Sequence, residues 1–188
     1  MKELWYLQSG CLPAHVCDKI IALGLSLPEK VSTVVASDGT TAPNENIRRT
    51  SVRWIYSDTL GTADLWKFID RQFTQANDEF FHVDVSHIAS LQFTTYKGNT
   101  QDYYNWHKDV VWKTAKSHQR KLSMSIQLSD PATYTDCDLQ FDCSPAPDQN
   151  ALRQRGSIVI FPSFVPHRVT PITKGVRHSL VTWLEGPC

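Results

Sequence analysis

Hydrophobic spacing divides the chain near residue 82. In PAHVCDKIIALGL, Val16, Ile20, Ile21, Leu23 and Leu25 follow mostly helical spacing, which predicts a helix from Pro13 to Leu25 that stops near Gly24. Between Asp64 and Phe80, Leu65, Trp66, Phe68, Ile69, Phe73 and Ala76 recur three and four apart, a strongly amphipathic helix expected to back a sheet. Between these, SDGTTAPNEN at residues 37–46 collects turn formers and reads as an exposed loop, and TSVRWIY alternates as a strand.

Beyond residue 82 the pattern shortens to β segments: SLQFTTY, KLSMSIQLS, DLQF, GSIVIFPS, HRVTP and RHSLVTWL, separated by Gly, Pro, Asp and Asn. Short strands with no helical pattern between them predict an antiparallel sandwich or barrel. The expected fold class is therefore α+β with a mainly β core. Helices and strands of residues 1–90 support a jelly-roll core over residues 90–188, and residues 1–188 form a single domain. One question stays open in KLSMSIQLS, where Leu122, Met124, Ile126 and Leu128 share one face and Ser123, Ser125 and Gln127 the other. The polar face meets either solvent or a ligand cavity.

Charge and cysteine content narrow the partners. Lys plus Arg and Asp plus Glu number 19 each in the 188 residues, so no net field draws the chain to nucleic acid or a charged membrane. No apolar run approaches the roughly 18 to 20 residues of a spanning helix, and MKELWYLQSG lacks the marks of a signal peptide, so an intracellular protein with no membrane partner is expected. Cys11, Cys17, Cys137, Cys143 and Cys188 are odd in number and contain no CxxC pair, which favours free thiols over a disulfide framework or a thiolate zinc site. Oligomeric state is not legible.

The candidate chemistry lies in YNWHKD. His107 and Asp109 are two apart, so an extended backbone projects both to one face. His167, in FPSFVPHRV, follows a strand and a Pro-containing bend and is positioned to return to the same ion. Two imidazoles and one carboxylate on one face of an octahedron leave the other positions open, the logic of the iron(II) facial triad. An HxD pair alone recurs by chance. Its company makes it specific: ten positions past His167 stands Arg177 in the otherwise apolar RHSLVTWL, with the turn material PITKG between them. Adjacent antiparallel strands would carry both into one cavity. A planar guanidinium there suits the far carboxylate of 2-oxoglutarate. Ser179 shares the face of Arg177 and is a candidate neighbour of that cosubstrate.

YKGNTQDYYNWHKD, DLQFD and RGSIVIFPSFVPHRVTPITKGVRHSLVTWLEGP together resemble the prolyl 4-hydroxylase-like 2-oxoglutarate and iron(II)-dependent oxygenases. The likeness covers the C-terminal half strongly and reaches forward through LPAHVCDKII and RRTSVRWI. It implies a cupin-like double-stranded β-helix, iron(II) on His107, Asp109 and His167, and 2-oxoglutarate on Arg177. It also places Tyr96 at the cosubstrate and Tyr104 beside the substrate, with core packing the alternative for each. The implied reaction consumes dioxygen and 2-oxoglutarate, releases succinate and carbon dioxide, and hydroxylates a C–H bond, first of all in a peptidyl proline. Ascorbate is a candidate accessory reductant. Where the family carries a Gly-Gly pair before the DLQF-like strand, this chain has Asp136 and Cys137, so that loop is expected to take another shape. The linker from Tyr96 to His107 is also about one residue longer than in relatives.

Other readings remain at this stage: the same oxygenase acting on a free amino acid, another small molecule or a nucleobase; a jelly-roll that binds without turnover; and a zinc enzyme on the same ligands, which would not need Arg177. Arg48, Arg49 and Arg53 form either a solvated surface or a peptide-facing strip. Trp106 and Trp112 are either core filling or walls of a substrate groove. His15, His82, His87, His118 and His178 carry no partner pattern.

Overall fold

The computed structural model describes residues 4–35, 41–110 and 117–188. The chain opens with β1 (Tyr6–Gln8) and α1 (Ala14–Ser26), then β2 (Lys30–Val31), β3 (Val34–Val35), β4 (Thr41–Ala42), β5 (Arg48–Arg49) and β6 (Ser51–Ile55). Helix α2 (Ala63–Ala76) leads through a π turn at Asn77–Phe81 into the long β7 (His87–Lys97). β8 (Tyr103–His107), β9 (His118–Gln127), β10 (Tyr134–Asp136) and β11 (Leu139–Phe141) follow. A short α3 (Gln149–Arg153) precedes β12 (Ile158–Pro162), β13 (His167–Val169) and β14 (Ile172–Pro187).

The strands form a jelly-roll of two main antiparallel sheets. The larger runs β1-β12-β9-β14-β7-β6-β2, with β10 paired to β14; the smaller runs β11-β13-β8-β5. Strand alternation explains the layering. On β9, Leu122, Met124 and Ile126 point to the outer face of the large sheet and join Leu91, Phe93, Ile158, Ile160 and Leu180 in a core against Ile20 of α1 and Ile69 and Phe73 of α2. The intervening residues face inward, where Tyr96, Val159 and Phe161 meet Phe141 and Val169 of the small sheet. The large sheet is thus covered by helices on one side and by the small sheet on the other.

The two expected helices form, with differences at their ends. Gly24 does not stop α1, which runs on to Ser26. It is instead a point of close approach: a Cβ there would stand 2.4 Å from the Phe93 ring. Regular α geometry in the second helix ends at Ala76, and the π turn carries the chain to His82, left-handed at φ 54. Within the expected loop of residues 37–46, Thr41–Ala42 pairs as β4 with β3, and residues 37–40 lie outside the described residues. The strand β10 and the helix α3 were not expected. Their three- and five-residue lengths are too short for periodicity to reveal, and α3 is marked chiefly by its cap, the Asp148 carboxylate accepting from the Ala151 N–H at 2.8 Å.

The largest correction concerns the turn after His167. β13 and β14 are not neighbours: β13 pairs with β8 and β11 in the small sheet, and β14 pairs with β7 and β9 in the large one. His167 and Arg177 therefore stand on opposite sheets. The polar face of β9 also has an answer, since Ser123, Ser125 and Gln127 look into the space between the sheets and are all buried. No helix among the described residues is long and apolar enough to cross a membrane.

Candidate active site

His107 and His167 are brought together by the pairing of β8 with β13, in which they are direct cross-strand partners with ring centroids 4.1 Å apart. Asp109 lies just past the end of β8, its N–H donating to the Ser163 carbonyl at 2.9 Å. Its carboxylate then stands 3.8 Å from His107 Nε2 and 3.6 Å from His167 Nε2. One donor atom from each of the three residues falls within 4.8 Å of the others.

Each ligand is oriented by a second bond. The Nδ1 of His107 is 2.8 Å from the Asn105 carbonyl, and that of His167 is 3.0 Å from the Val165 carbonyl. A carbonyl can only accept, so each Nδ1 carries the proton and each Nε2 presents its lone pair to the centre. Asp109 Oδ2 accepts from Ser123 Oγ at 2.7 Å, and that hydroxyl also meets Ser163 Oγ at 2.9 Å. Burial, followed by the neighbouring His167, pushes the His107 pKa well down, so this imidazole stays neutral. Burial opposes ionisation of Asp109, but His167, His107 and Arg120 outweigh it and hold the acid below its usual range. Metal binding requires neutral imidazole and ionised carboxylate ligands, the states in which His107 and Asp109 are held. The donor set fits iron(II): nitrogen and carboxylate oxygen with no thiolate.

A bulge shapes one wall. Between the pairs His167–His107 and Val169–Tyr104, β8 carries one residue more than β13. The extra residue turns Tyr104 to the side of His107, where the rings stack with centroids 3.4 Å apart at 11°. Arg48 lies over the other face of Tyr104, 4.5 Å from its centroid. Trp106 points the other way, 44% exposed under Arg168, and so does not wall the metal side. Trp112 lies outside the described residues. Of the three arginines in RRTSVRW, Arg48 and Arg53 are buried, Arg53 held by Glu29 at 2.5 Å and by the Leu27 carbonyl; only Arg49 meets solvent. The strip is mainly structural.

Arg177, on β14 of the large sheet, is 4% exposed. Its Nε donates to Gln127 Oε1 at 2.8 Å, its Cζ is 5.6 Å from the centroid of Tyr96, its cross-strand partner, and its Nη1 has no hydrogen-bond partner. An orphaned buried guanidinium nitrogen is a vacancy for an anion, which fits the carboxylate of an organic acid. Ser179, 2% exposed, shares this inner face and pairs across the sheet with Gln127 and Thr94. Along β9, Ser123 braces Asp109 and Gln127 braces Arg177. Four residues of strand, about 13 Å, separate the two supports. Trp183, farther along β14, turns its buried indole N–H toward Asp109 without an aligned bond.

Ser123, Ser163, Gln127 and Trp183 were not singled out as site residues from the sequence. Ser123 and Gln127 did leave a signal in the polar face of KLSMSIQLS, whose direction alternation alone cannot give. Asp136 and Cys137, which stand where the resemblance expects a Gly-Gly pair, both adopt φ 62, the left-handed region that glycine enters freely.

Fold and site together give a jelly-roll with a cluster of two histidines and one carboxylate on the small sheet and a buried arginine on the large one. Known proteins sharpen this. The sequence model of the 2OG-Fe(II) oxygenase superfamily matches residues 91–185, half of the chain, and the chain belongs to that superfamily. Iron(II) and 2-oxoglutarate are the metal and cosubstrate that membership implies. A PKHD-type hydroxylase of Pseudoalteromonas atlantica is 33% identical over 102 residues, which are 52% of this chain and 44% of that protein. The chain thus matches less than half the length of such curated relatives. Two solved structures share the fold across nearly the whole chain. A Pseudomonas putida prolyl-4-hydroxylase superimposes with a TM-score of 0.71 at 20% identity, covering 98% of this chain and 94% of its own. A Trichoplax adhaerens prolyl hydroxylase, solved with a hypoxia inducible factor peptide, gives 0.73 at 15%, covering 96% and 83%.

Proposed function

We propose that the chain is an iron(II)- and 2-oxoglutarate-dependent hydroxylase whose substrate is a prolyl residue in a peptide or protein. The observation that carries this reading is the convergence of the donor atoms of His107, Asp109 and His167 within 4.8 Å, in a chain whose buried Arg177 keeps an unpaired Nη1. Residues 91–185 hold the whole set, and residues 1–90 supply the helices and edge strands that cover the sheet.

In this reading His107, Asp109 and His167 hold the metal, and Arg177 pairs with the distal carboxylate of 2-oxoglutarate, with Tyr96 and Ser179 lining that pocket. The iron and cosubstrate supply the oxidising power: dioxygen places one atom in the substrate C–H bond and one in succinate as carbon dioxide leaves. The protein supplies position. The Asn105 and Val165 carbonyls fix the imidazole tautomers, Ser123 fixes the carboxylate, and Gln127 fixes the guanidinium fork. Tyr104, stacked between Arg48 and His107, faces the side from which substrate reaches the centre. Ascorbate is proposed as a reductant that restores iron(II) after unproductive turnover. The five cysteines, none of them in a disulfide, suit a reducing, intracellular compartment.

The preference for proline draws on the names of the relatives, and for peptide on the neighbour solved with one. The test is succinate formation from iron(II), 2-oxoglutarate and oxygen, with proline-containing peptides against a panel of amino acids, metabolites and nucleobases, and mass spectrometry for the gain of one oxygen atom. Peptide-dependent succinate supports the proposal. Turnover confined to the metabolite panel moves the substrate, and no succinate with any compound despite bound iron contradicts a catalytic role.

A further inference from the structure

The turn joining β10 to β11 holds two consecutive residues, Asp136 and Cys137, at φ 62. Residues with a Cβ resist that conformation and keep it only where their surroundings impose it. The surroundings do so here. Thr173 Oγ1 donates to the Asp136 carboxylate, Arg153 Nη1 donates to the Asp136 carbonyl at 2.7 Å and pairs with Asp138, and the Asp138 N–H donates to Thr170 Oγ1 at 2.8 Å. These bonds leave the Cys137 side chain free to be aimed.

It is aimed inward. Cys137 is 1% exposed, belongs to the inner cluster with Tyr96, Tyr134 and Ile172, and sets its thiol beside the Arg177 guanidinium. The contact does not involve Arg177 Nη1, which keeps no partner. The guanidinium is therefore fixed by Gln127 on its Nε, flanked by a thiol, and left with the N–H groups of a buried Nη1 for a ligand. Burial pushes the Cys137 pKa up to about 11, so the thiol stays protonated and places no negative charge where an anion would bind.

We propose that Cys137 is a specificity-determining residue of the 2-oxo acid pocket: its side chain fills the space beside Arg177 and so limits the length of diacid that reaches the guanidinium. This rests on the assignment of Arg177 to the cosubstrate carboxylate. A pocket that lacks room for one methylene group discriminates by roughly 10- to 200-fold.

The test is calorimetric titration of the full chain, loaded with manganese(II), with 2-oxoglutarate and with the one-carbon-longer 2-oxoadipate. The wild type is expected to favour 2-oxoglutarate by about tenfold or more. C137G, which suits φ 62 and folds without the strain, is expected to lose most of that preference; C137S, which keeps a side chain in place, is expected to retain most of it. Thermal unfolding verifies both folds, and C137A serves as the truncation if the glycine variant is unstable. A truncation variant with the wild-type ratio overturns the proposal. A wild type that binds neither diacid overturns the cosubstrate assignment itself, a separate result read before any variant is compared.

Discussion

His167 stands directly across from His107 in the pairing of β13 with β8, and a bulge one step along that pairing turns Tyr104 onto the His107 ring. The metal centre is therefore a property of the small sheet. Its fourth participant, Ser123, reaches across from the large one.

Removing a ligand separates chemistry from fold. His107→Ala and Asp109→Ala are each expected to abolish iron-dependent succinate formation, with circular dichroism unchanged, because neither side chain belongs to the two hydrophobic clusters. Full activity in either variant contradicts the triad.

Ser123→Ala removes the 2.7 Å bond to Asp109 Oδ2 without touching the metal. Loss of such an outer support weakens metal binding by about 10- to 100-fold. Equilibrium dialysis against manganese(II) measures it; an unchanged affinity means that Asp109 needs no brace.

For Arg177→Ala the expectation is larger. Leaving a buried carboxylate unpaired costs about 3–5 kcal/mol, so the Kd for 2-oxoglutarate is expected to rise by roughly 100-fold to several thousand-fold. Arg177→Lys is expected to recover only part of this, since an ammonium cannot reproduce the fork that spans Gln127 and a ligand. An unaltered Kd would place the carboxylate elsewhere.

Acid should destabilise the fold through His178. Burial, then Arg53, Arg177 and Lys97, lower its pKa from 6.5 to about 4, so between these values the unfolded chain binds a proton that the folded chain refuses. Stability then rises with pH across that window and is lost as pH falls through it. Thermal unfolding of the metal-free protein from pH 7 to 4 should show the slope, to which His107 adds its own share, and His178→Gln should reduce it. A slope identical in the variant assigns it to other groups.

Gly24→Ala tests the seating of α1. Alanine is the better helix former by about 1 kcal/mol, yet its Cβ would meet the Phe93 ring at 2.4 Å. Overpacking of this kind typically costs about 1–3 kcal/mol, so the net expected change is a lower Tm. A raised Tm would mean that the helix shifts freely on the sheet.

What the sequence disclosed follows from the reach of each signal. Period and alternation are local, so α1, the regular part of α2 and the strands carrying His167 and Arg177 were all legible. The HxD spacing with His167 named the three residues whose donor atoms the fold brings within 4.8 Å of one another. Sheet membership is not local: nothing in PITKG tells whether the chain turns back within one sheet or crosses to another, and it crosses. The polar face of β9 was visible as a face but not as a direction, so Ser123 and Gln127 went unassigned. The left-handed turn at Asp136 and Cys137 was not legible, because propensity speaks for isolated residues whereas Thr173, Arg153 and Thr170 brace the turn from outside it.

The central claim is that three ligands and one guanidinium serve a single site. Anaerobic titration of the protein with iron(II) and 2-oxoglutarate, followed by visible absorption, tests it most directly. The account expects a charge-transfer band that saturates at one iron and one diacid per chain, is lost in Asp109→Ala, and needs far more 2-oxoglutarate in Arg177→Ala. A wild type without the band, or a band indifferent to both substitutions, would contradict it.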